Sequence, residues 1–195
     1  MRSALLGLGM LALSSVGVVA CSDAPSITTT PLGYTIQEGL MVLSENDPTI
    51  GTVIFAANTG NCKLFQAGAT PTQILLSDFL TFSLGVQDSN QGSLPLTSGT
   101  YNIIIPPLPT AAGLYATSTE YETDAECDYS PTGANSGTIT LQPFDPDAGS
   151  GSNASFAVVF GYDQFVGGYG LTTCVIPAGT PALDAGTCLL PGTLL

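Results

Sequence analysis

The chain contains no histidine and no tryptophan, and only two basic residues stand against fifteen acidic ones. Each shortage excludes a class of chemistry. Without histidine there is no Ser-His-Asp or Cys-His catalytic machinery and no histidine-ligated zinc or haem. A formal net charge of −13 cannot neutralise a phosphate backbone, so nucleic acid is excluded as a partner. Charged residues make up only 9% of the 195 residues, whereas Gly (23) and Pro (14) are plentiful. That balance belongs to a turn-dense, low-charge, all-β protein working outside the cytoplasm. The length suits a short targeting segment followed by one domain.

Residues 1–20, MRSALLGLGMLALSSVGVVA, read as a signal peptide. Arg2 supplies the positive start, an uncharged apolar stretch runs from Ala4 to Ala20, and Gly and Ser lie near its end. The segment closes on Val18-Val19-Ala20-Cys21, which resembles the bacterial lipobox. The resemblance implies that the Cys21 thiol accepts a diacylglyceryl group and that cleavage before it leaves a lipidated first residue. An uncleaved membrane-spanning helix and an ordinary secretory signal are the competing readings. The small-residue tail and the Cys at the boundary favour the lipoprotein. Each buried methylene contributes about 0.8 kcal/mol, so two or three acyl chains make dissociation negligible. Ser22 rather than Asp after the Cys points to the outer membrane by the enterobacterial sorting pattern. Removal of Arg2 leaves Lys63 as the one base against fifteen acidic residues, a mature charge of −14.

Cys21 and the polar, Pro-bounded stretch after it (SDAPSITTTP) make residues 21–31 a lipidated tether. Residues 32–195 then form a single β-rich domain. Apolar or alternating runs at 52–57, 74–86, 100–105, 115–123, 136–142, 154–161 and 169–175 predict strands, separated by Gly, Pro, Asn and Asp. The run at 74–86 reads as one long strand or two joined near Ser77-Asp78. Residues 61–67 (NCKLFQA) read as one helical turn, capped by Asn61 and ended by Gly68. About eight strands at this spacing predict an all-β fold, an antiparallel β-sandwich or barrel with one short helix.

The order C-x-x-x-x-A-G at 62–68, G-T-Y-x-I at 99–103, Cys127, G-T-I-T-L at 137–141, S-F-x-V-x-F-G at 155–161 and a closing Cys174 resembles a group of myxobacterial-type lipoproteins. What this resemblance implies is a β-rich fold and an envelope location. Its motifs are strand and turn chemistry, with no catalytic signature among them.

With Cys21 assigned to lipid, Cys62, Cys127, Cys174 and Cys188 remain. An even count in an exported chain implies two disulfides, with three possible connectivities. None of the four forms a C-x-x-C, which argues against redox or zinc chemistry. The expected pairing is Cys62 with Cys127 and Cys174 with Cys188, because the second pair would close a Pro/Gly-rich tail with little else to hold it.

Three polar or aromatic features are candidate sites. Period-2 alternation puts Glu120, Glu122, Asp124 and Glu126 on one strand face and Thr119, Tyr121, Thr123 and Cys127 on the other. The favoured reading is a solvated acidic face, against a cation or partner site or a glycosidase-like carboxylate pair. Asp145 and Asp147, in DPDAGSGSN, lie at alternate positions as in a calcium loop, but no closing Glu follows, so a hairpin turn is the simpler reading. Tyr162, Phe165 and Tyr169 surround the last hairpin, as a cross-strand staple or an exposed contact surface. Together these predict an outer-membrane lipoprotein without enzymatic activity or cofactor, structural or adhesive, with an unidentified protein or glycan partner. The alternatives are a divalent-cation (calcium) or glycan-binding module, and then a carboxylate-dependent hydrolase.

Overall fold

In a computed structural model, residues 34–144, 150–184 and 187–191 are described. The chain runs β1 (Glu38–Ser44), β2 (Asp47–Ala56), α1 (Asn61–Gln66), a short 3-10 turn (Pro71–Gln73), β3 (Asp78–Gln87), β4 (Ser93–Leu94), β5 (Gly99–Ile103), β6 (Gly113–Thr123), β7 (Tyr129–Gly133), β8 (Ser136–Leu141), β9 (Ser150–Phe160) and β10 (Asp163–Ile176). Eight strands close into a barrel in the order β1-β2-β3-β6-β5-β8-β9-β10 and back to β1. β4 adds to the edge of β3, and β7 to β6. Of the two all-β architectures expected, the barrel is the one adopted.

The joints are antiparallel except at two places. β1 pairs with β10 in parallel (Leu40 opposite Thr172), and β5 pairs with β6 in parallel (Asn102 opposite Tyr115). Hairpin turns make antiparallel neighbours, whereas parallel neighbours need a connection that returns the chain to the same end. The first parallel joint brings together the first and last strands. The second follows from the return segment after β5, which Pro106 and Pro107 keep out of the ladder.

The interior is filled. Met41, Val53, Phe55, Leu80, Phe82, Tyr101, Ile139, Leu141, Phe156 and Val158 belong to one buried cluster. Phe55, Phe82 and Phe156 form its centre, with ring centroids 5.1–5.9 Å apart. Tyr101 is wholly buried, yet its phenol is satisfied: it donates to the Thr97 carbonyl at 2.7 Å and accepts from the Thr97 N–H at 3.2 Å. An eight-stranded barrel is just wide enough for side chains to fill, and aromatic side chains fill this one.

A second core lies outside the wall. Leu40 and Val42 of β1, Ile54 and Ala56 of β2, Phe79 of β3 and Cys174 of β10 are buried beneath Leu64 and Phe65 of α1, with Ala69 and Ile74. These strands are covered on both faces, so their sequences are apolar runs rather than alternations. β1, EGLMVLS, is the run the sequence reading passed over.

Local chemistry at α1 differs from the expectation for Asn61. The N-cap is Gly60, with φ 89°, and no side chain of the helix caps it. The cap comes instead from β1: the Glu38 carboxylate accepts the Gly60 N–H (3.2 Å), the Asn61 N–H (3.1 Å) and the Asn61 Nδ2 (2.6 Å). Asn61 is fully buried and donates further to Asn58. Gly68 ends the helix as expected, at φ +95°. A Cβ there would also sit 2.0 Å from the Pro181 carbonyl oxygen, where the C-terminal tail crosses.

The four cysteines form two bridges, but with a different pairing from the expected one. Cys62 joins Cys174, and Cys127 joins Cys188. The first clamps α1 onto the outer face of β10, with Cys174 wholly buried. The second pins the tail to the turn after β6. Cys174 and Cys188 are near in sequence but part in space, because the tail runs on across the 3-10 turn. There Leu183 N–H bonds the Gly68 carbonyl, Leu189 N–H bonds Gln73 and Leu75 N–H bonds Leu189.

Candidate functional site

The four acidic residues expected on one face are divided by the fold. β6 turns Ala116, Ser118 and Glu120 toward the barrel interior, where Ala116 belongs to the inner core and Leu80, opposite Glu120, does too. Glu120 is only 7% exposed. Glu122 is exposed at the end of the strand, opposite Asp78 of β3. Asp124 and Glu126 lie beyond β6 in a turn, where Asp124 Oδ1 accepts the N–H groups of Glu126 (3.0 Å) and Asp128 (2.9 Å). The solvated-face reading is therefore corrected for Glu120. Strand alternation shows which residues share a face, but closure of the barrel decides which face is inside.

Tyr34, in the segment before β1, packs against the inner core, and its hydroxyl is buried without a hydrogen-bond partner. Burial pushes the Tyr34 phenol above its ordinary range, with Glu120, Asp78 and Glu122 adding to the effect. Burial also raises Glu120 to about 7, reinforced by the negative charges of Glu122 and Asp78. Asp78 is raised by burial and then by Glu122. The pair Glu120 and Glu122 thus has one sheltered and one exposed carboxyl, as acid-base chemistry requires. Neither of the two cavities described below is lined by them, however. Among the described residues, no group of three or more His, Cys, Asp or Glu side chains is placed to hold a metal ion. Asp145 and Asp147 lie outside the described residues, as does Cys21.

The aromatic cluster around the last hairpin also divides. Phe165 is buried and meets Phe160 edge-on at 5.4 Å, which is the staple. Tyr169 donates its hydroxyl to the Gln37 carbonyl at 3.0 Å. Tyr162, at the hairpin tip, is fully exposed.

The sequence reading missed a groove of about 340 Å³ on the outer wall. Its floor is Ser83 and Gly85 of β3 with Tyr115 and Thr117 of β6, and its sides are Ile50, Ile104, Pro106 and Leu108. Among the described residues, no charged one lines it. Ile50 (54% exposed) and Leu108 (63%) leave much of their apolar surface to solvent, and Ile105 beside them is also exposed. The Gln87 carboxamide oxygen, at the same groove, is buried and has no hydrogen-bond partner. The signal that could have found this site is the unpaired apolar set in IIIPPLP, which a strand followed by a turn does not need. A second, more polar hollow of about 370 Å³ lies between the 3-10 turn and the Cys127 turn, lined by Thr70, Thr72, Gln73, Glu126, Asp128 and Tyr129.

Comparison with known protein families, curated proteins and solved structures finds no significant match. Among the described residues, no helix is long and apolar enough to cross a membrane.

Proposed function

We propose that this chain is a lipid-anchored lipoprotein of a bacterial outer membrane, tethered through Cys21, whose barrel is a non-enzymatic binding or adhesive domain. The observation that carries the binding role is the uncharged outer groove with Ile50 and Leu108 at its rim. A filled barrel has no room for a ligand inside, so recognition falls to the wall. Apolar side chains left exposed around a concavity mark contact surfaces. In a chain with fifteen acidic residues, an uncharged groove selects an uncharged, largely apolar feature of a protein or glycan partner. The anchor reading is supported by the Val18-Val19-Ala20-Cys21 boundary, and the two bridges suit an oxidising compartment.

Two measurements test the two halves. Intact mass of the protein extracted from membranes should give a chain beginning at Cys21 with acyl mass added, and four alkylated thiols only after reduction. A mass beginning at Met1, or no acyl mass, would overturn the anchor. For the groove, Gly85→Phe is the decisive variant: a Cβ added at Gly85 meets nothing within 4 Å, so the ring fills the groove without disturbing the core. The neutral solvatochromic dye Nile red should bind the native protein and lose at least tenfold in affinity to the variant. Equal binding by both would remove the groove as the site.

A further inference from the structure

The outer groove carries no charge along its lining, but two carboxylates stand at one end of it. β2 and β3 run antiparallel with Ile50 opposite Gly85. Asp47 precedes Ile50 by three residues and Asp88 follows Gly85 by three, so both lie toward the same end of the barrel. Asp47 Oδ1 accepts the N–H (3.0 Å) and the hydroxyl of Thr49, which lines the groove. Asp88 Oδ1 accepts the Asn90 N–H (2.8 Å) and the Gly92 N–H (2.7 Å), on either side of Gln91, which also lines it. Among the described residues, the second oxygen of each carboxylate has no partner. The one cation among them, Lys63, is on α1, which packs over Ala56 and Phe79 at the opposite end of the same strands.

The lining separates a polypeptide from a glycan. A sugar carries a hydroxyl on nearly every carbon, and each one taken from water needs a new partner. Ile50, Ile104, Pro106 and Leu108, which form the sides, offer none. The ring of Tyr115 is in the floor, with its hydroxyl tied to the Ala111 carbonyl at 2.7 Å. The Gln87 carboxamide oxygen is buried beyond a ligand's reach. An aliphatic side chain needs no such partners, and the floor has room for one: a Cβ added at Gly85 meets nothing within 4 Å. Burying it there removes apolar surface from water on both partners.

We propose that the groove and its acidic end dock an extended polypeptide segment of a partner protein, with an aliphatic side chain over Gly85 and a lysine or arginine against Asp47 and Asp88. This rests on the groove being the binding site, as proposed above, and names what occupies it. Three residues of strand carry each carboxylate about 10 Å beyond the Ile50–Gly85 pair. Three residues of an extended ligand span the same distance. The recognised pattern is therefore an aliphatic residue with a basic residue three positions away. The apolar side chain supplies most of the affinity. The exposed charges fix the direction of the segment, reject acidic ones and make binding sensitive to salt.

Selection of a phage-displayed random peptide library on the immobilised full chain tests this, keeping only clones that Gly85→Phe fails to bind. The kept clones should carry an aliphatic residue and a Lys or Arg three positions apart more often than the unselected library does. A synthetic peptide from such a clone should lose about fivefold in affinity to the double variant Asp47→Asn with Asp88→Asn. The carboxamides keep the acceptors that hold both turns, so that variant should melt with the native protein and bind Nile red as well. Raising the salt to about 1 M should weaken the peptide on the native protein by a similar factor. No kept clones, clones without the spacing, or a peptide indifferent to the double variant would overturn the proposed occupant. A neutral glycan bound by the native protein and lost in Gly85→Phe would overturn it in favour of a sugar. In each of these cases the groove itself stands if Nile red still distinguishes the native protein from Gly85→Phe, and falls if it does not.

Discussion

Glu38 of β1 and Glu120 of β6 are two carboxylates of one barrel wall, with opposite surroundings. Glu38 points out from β1 and meets three donors at the start of α1. Glu120 points in and, among the described residues, meets none. Removing the first should cost stability, and neutralising the second should raise it. Glu38→Ala leaves the Gly60 and Asn61 N–H groups without their acceptor and the buried Asn61 amide with Asn58 alone, a loss of about 2 kcal/mol in thermal or denaturant unfolding. For Glu120 the sign follows from linkage. Its folded pKa, about 7, lies above the ordinary carboxyl value, so the folded state binds more protons than the unfolded one between about pH 4.5 and 7. Stability should therefore fall as pH rises through that window and level off above it. Because the carboxyl keeps some contact with water, which screens the charge, the part due to Glu120 is about 2 kcal/mol, less than the full shift implies, and Glu120→Gln should abolish it. Asp78, shifted in the same direction, leaves a smaller residual slope. Melting temperatures of both proteins from pH 5 to pH 8 check the sign.

At the scale of elements, the two disulfides do different work. By chain entropy each contributes about 4–5 kcal/mol relative to an uncrosslinked unfolded chain. Cys62–Cys174 lies between α1 and β10, with Cys174 wholly buried, whereas Cys188 is exposed on the tail. Thiol–disulfide exchange needs access to a sulfur. Limited reduction should therefore open Cys127–Cys188 first, read by alkylation and peptide mapping. The tail around Leu183 and Leu189 should then lose exchange protection while β1, β2 and β10 keep theirs. Simultaneous reduction of both bridges would contradict this division. The packing of α1 makes a second prediction: Phe65→Ala, beneath which Phe79 lies at 6.3 Å, should cost about 3–4 kcal/mol by opening the outer core.

For the whole molecule, two cores share one wall. The inner one depends on the three rings of Phe55, Phe82 and Phe156, and Phe82→Ala should destabilise by about 3–5 kcal/mol. Denaturant midpoints measure this directly. The outer core covers one end of β1, β2, β3 and β10, with Tyr121 of β6 packed against it, and leaves Ser83 and Gly85 further along β3 to floor the groove with β6. The same division explains which strands were legible. Residues 100–105, 115–123, 136–142 and 154–161 announce themselves by β-branched or alternating residues and appear as β5, β6, β8 and β9 within a few positions. The run at 74–86 resolves into the 3-10 turn's neighbour Ile74, which bridges Leu189, and β3 from Asp78 onward. β1 and β7 were illegible for opposite reasons: β1 is buried on both sides and lacks a period, and β7 (YSPTG) is an exposed edge with Pro131 in it.

By itself the sequence determined the class of the molecule. Strand-forming runs, Gly and Pro punctuation, an even set of four cysteines and the absence of histidine are local or compositional facts, and local facts survive any arrangement of the strands. It also marked Gly68 as the end of a helical turn, because a left-handed residue is a local requirement. What only the tertiary structure decided is everything that depends on the neighbour across space. The bridges follow from the seating of α1 on β10 and the path of the tail across the 3-10 turn, the burial of Glu120 follows from the direction in which the sheet closes, and the groove exists because the Ile104–Leu108 segment returns beside β3 and β6. Alternation in a strand specifies two faces and leaves their identity open; closure of the barrel made one of them the interior and placed a carboxylate there.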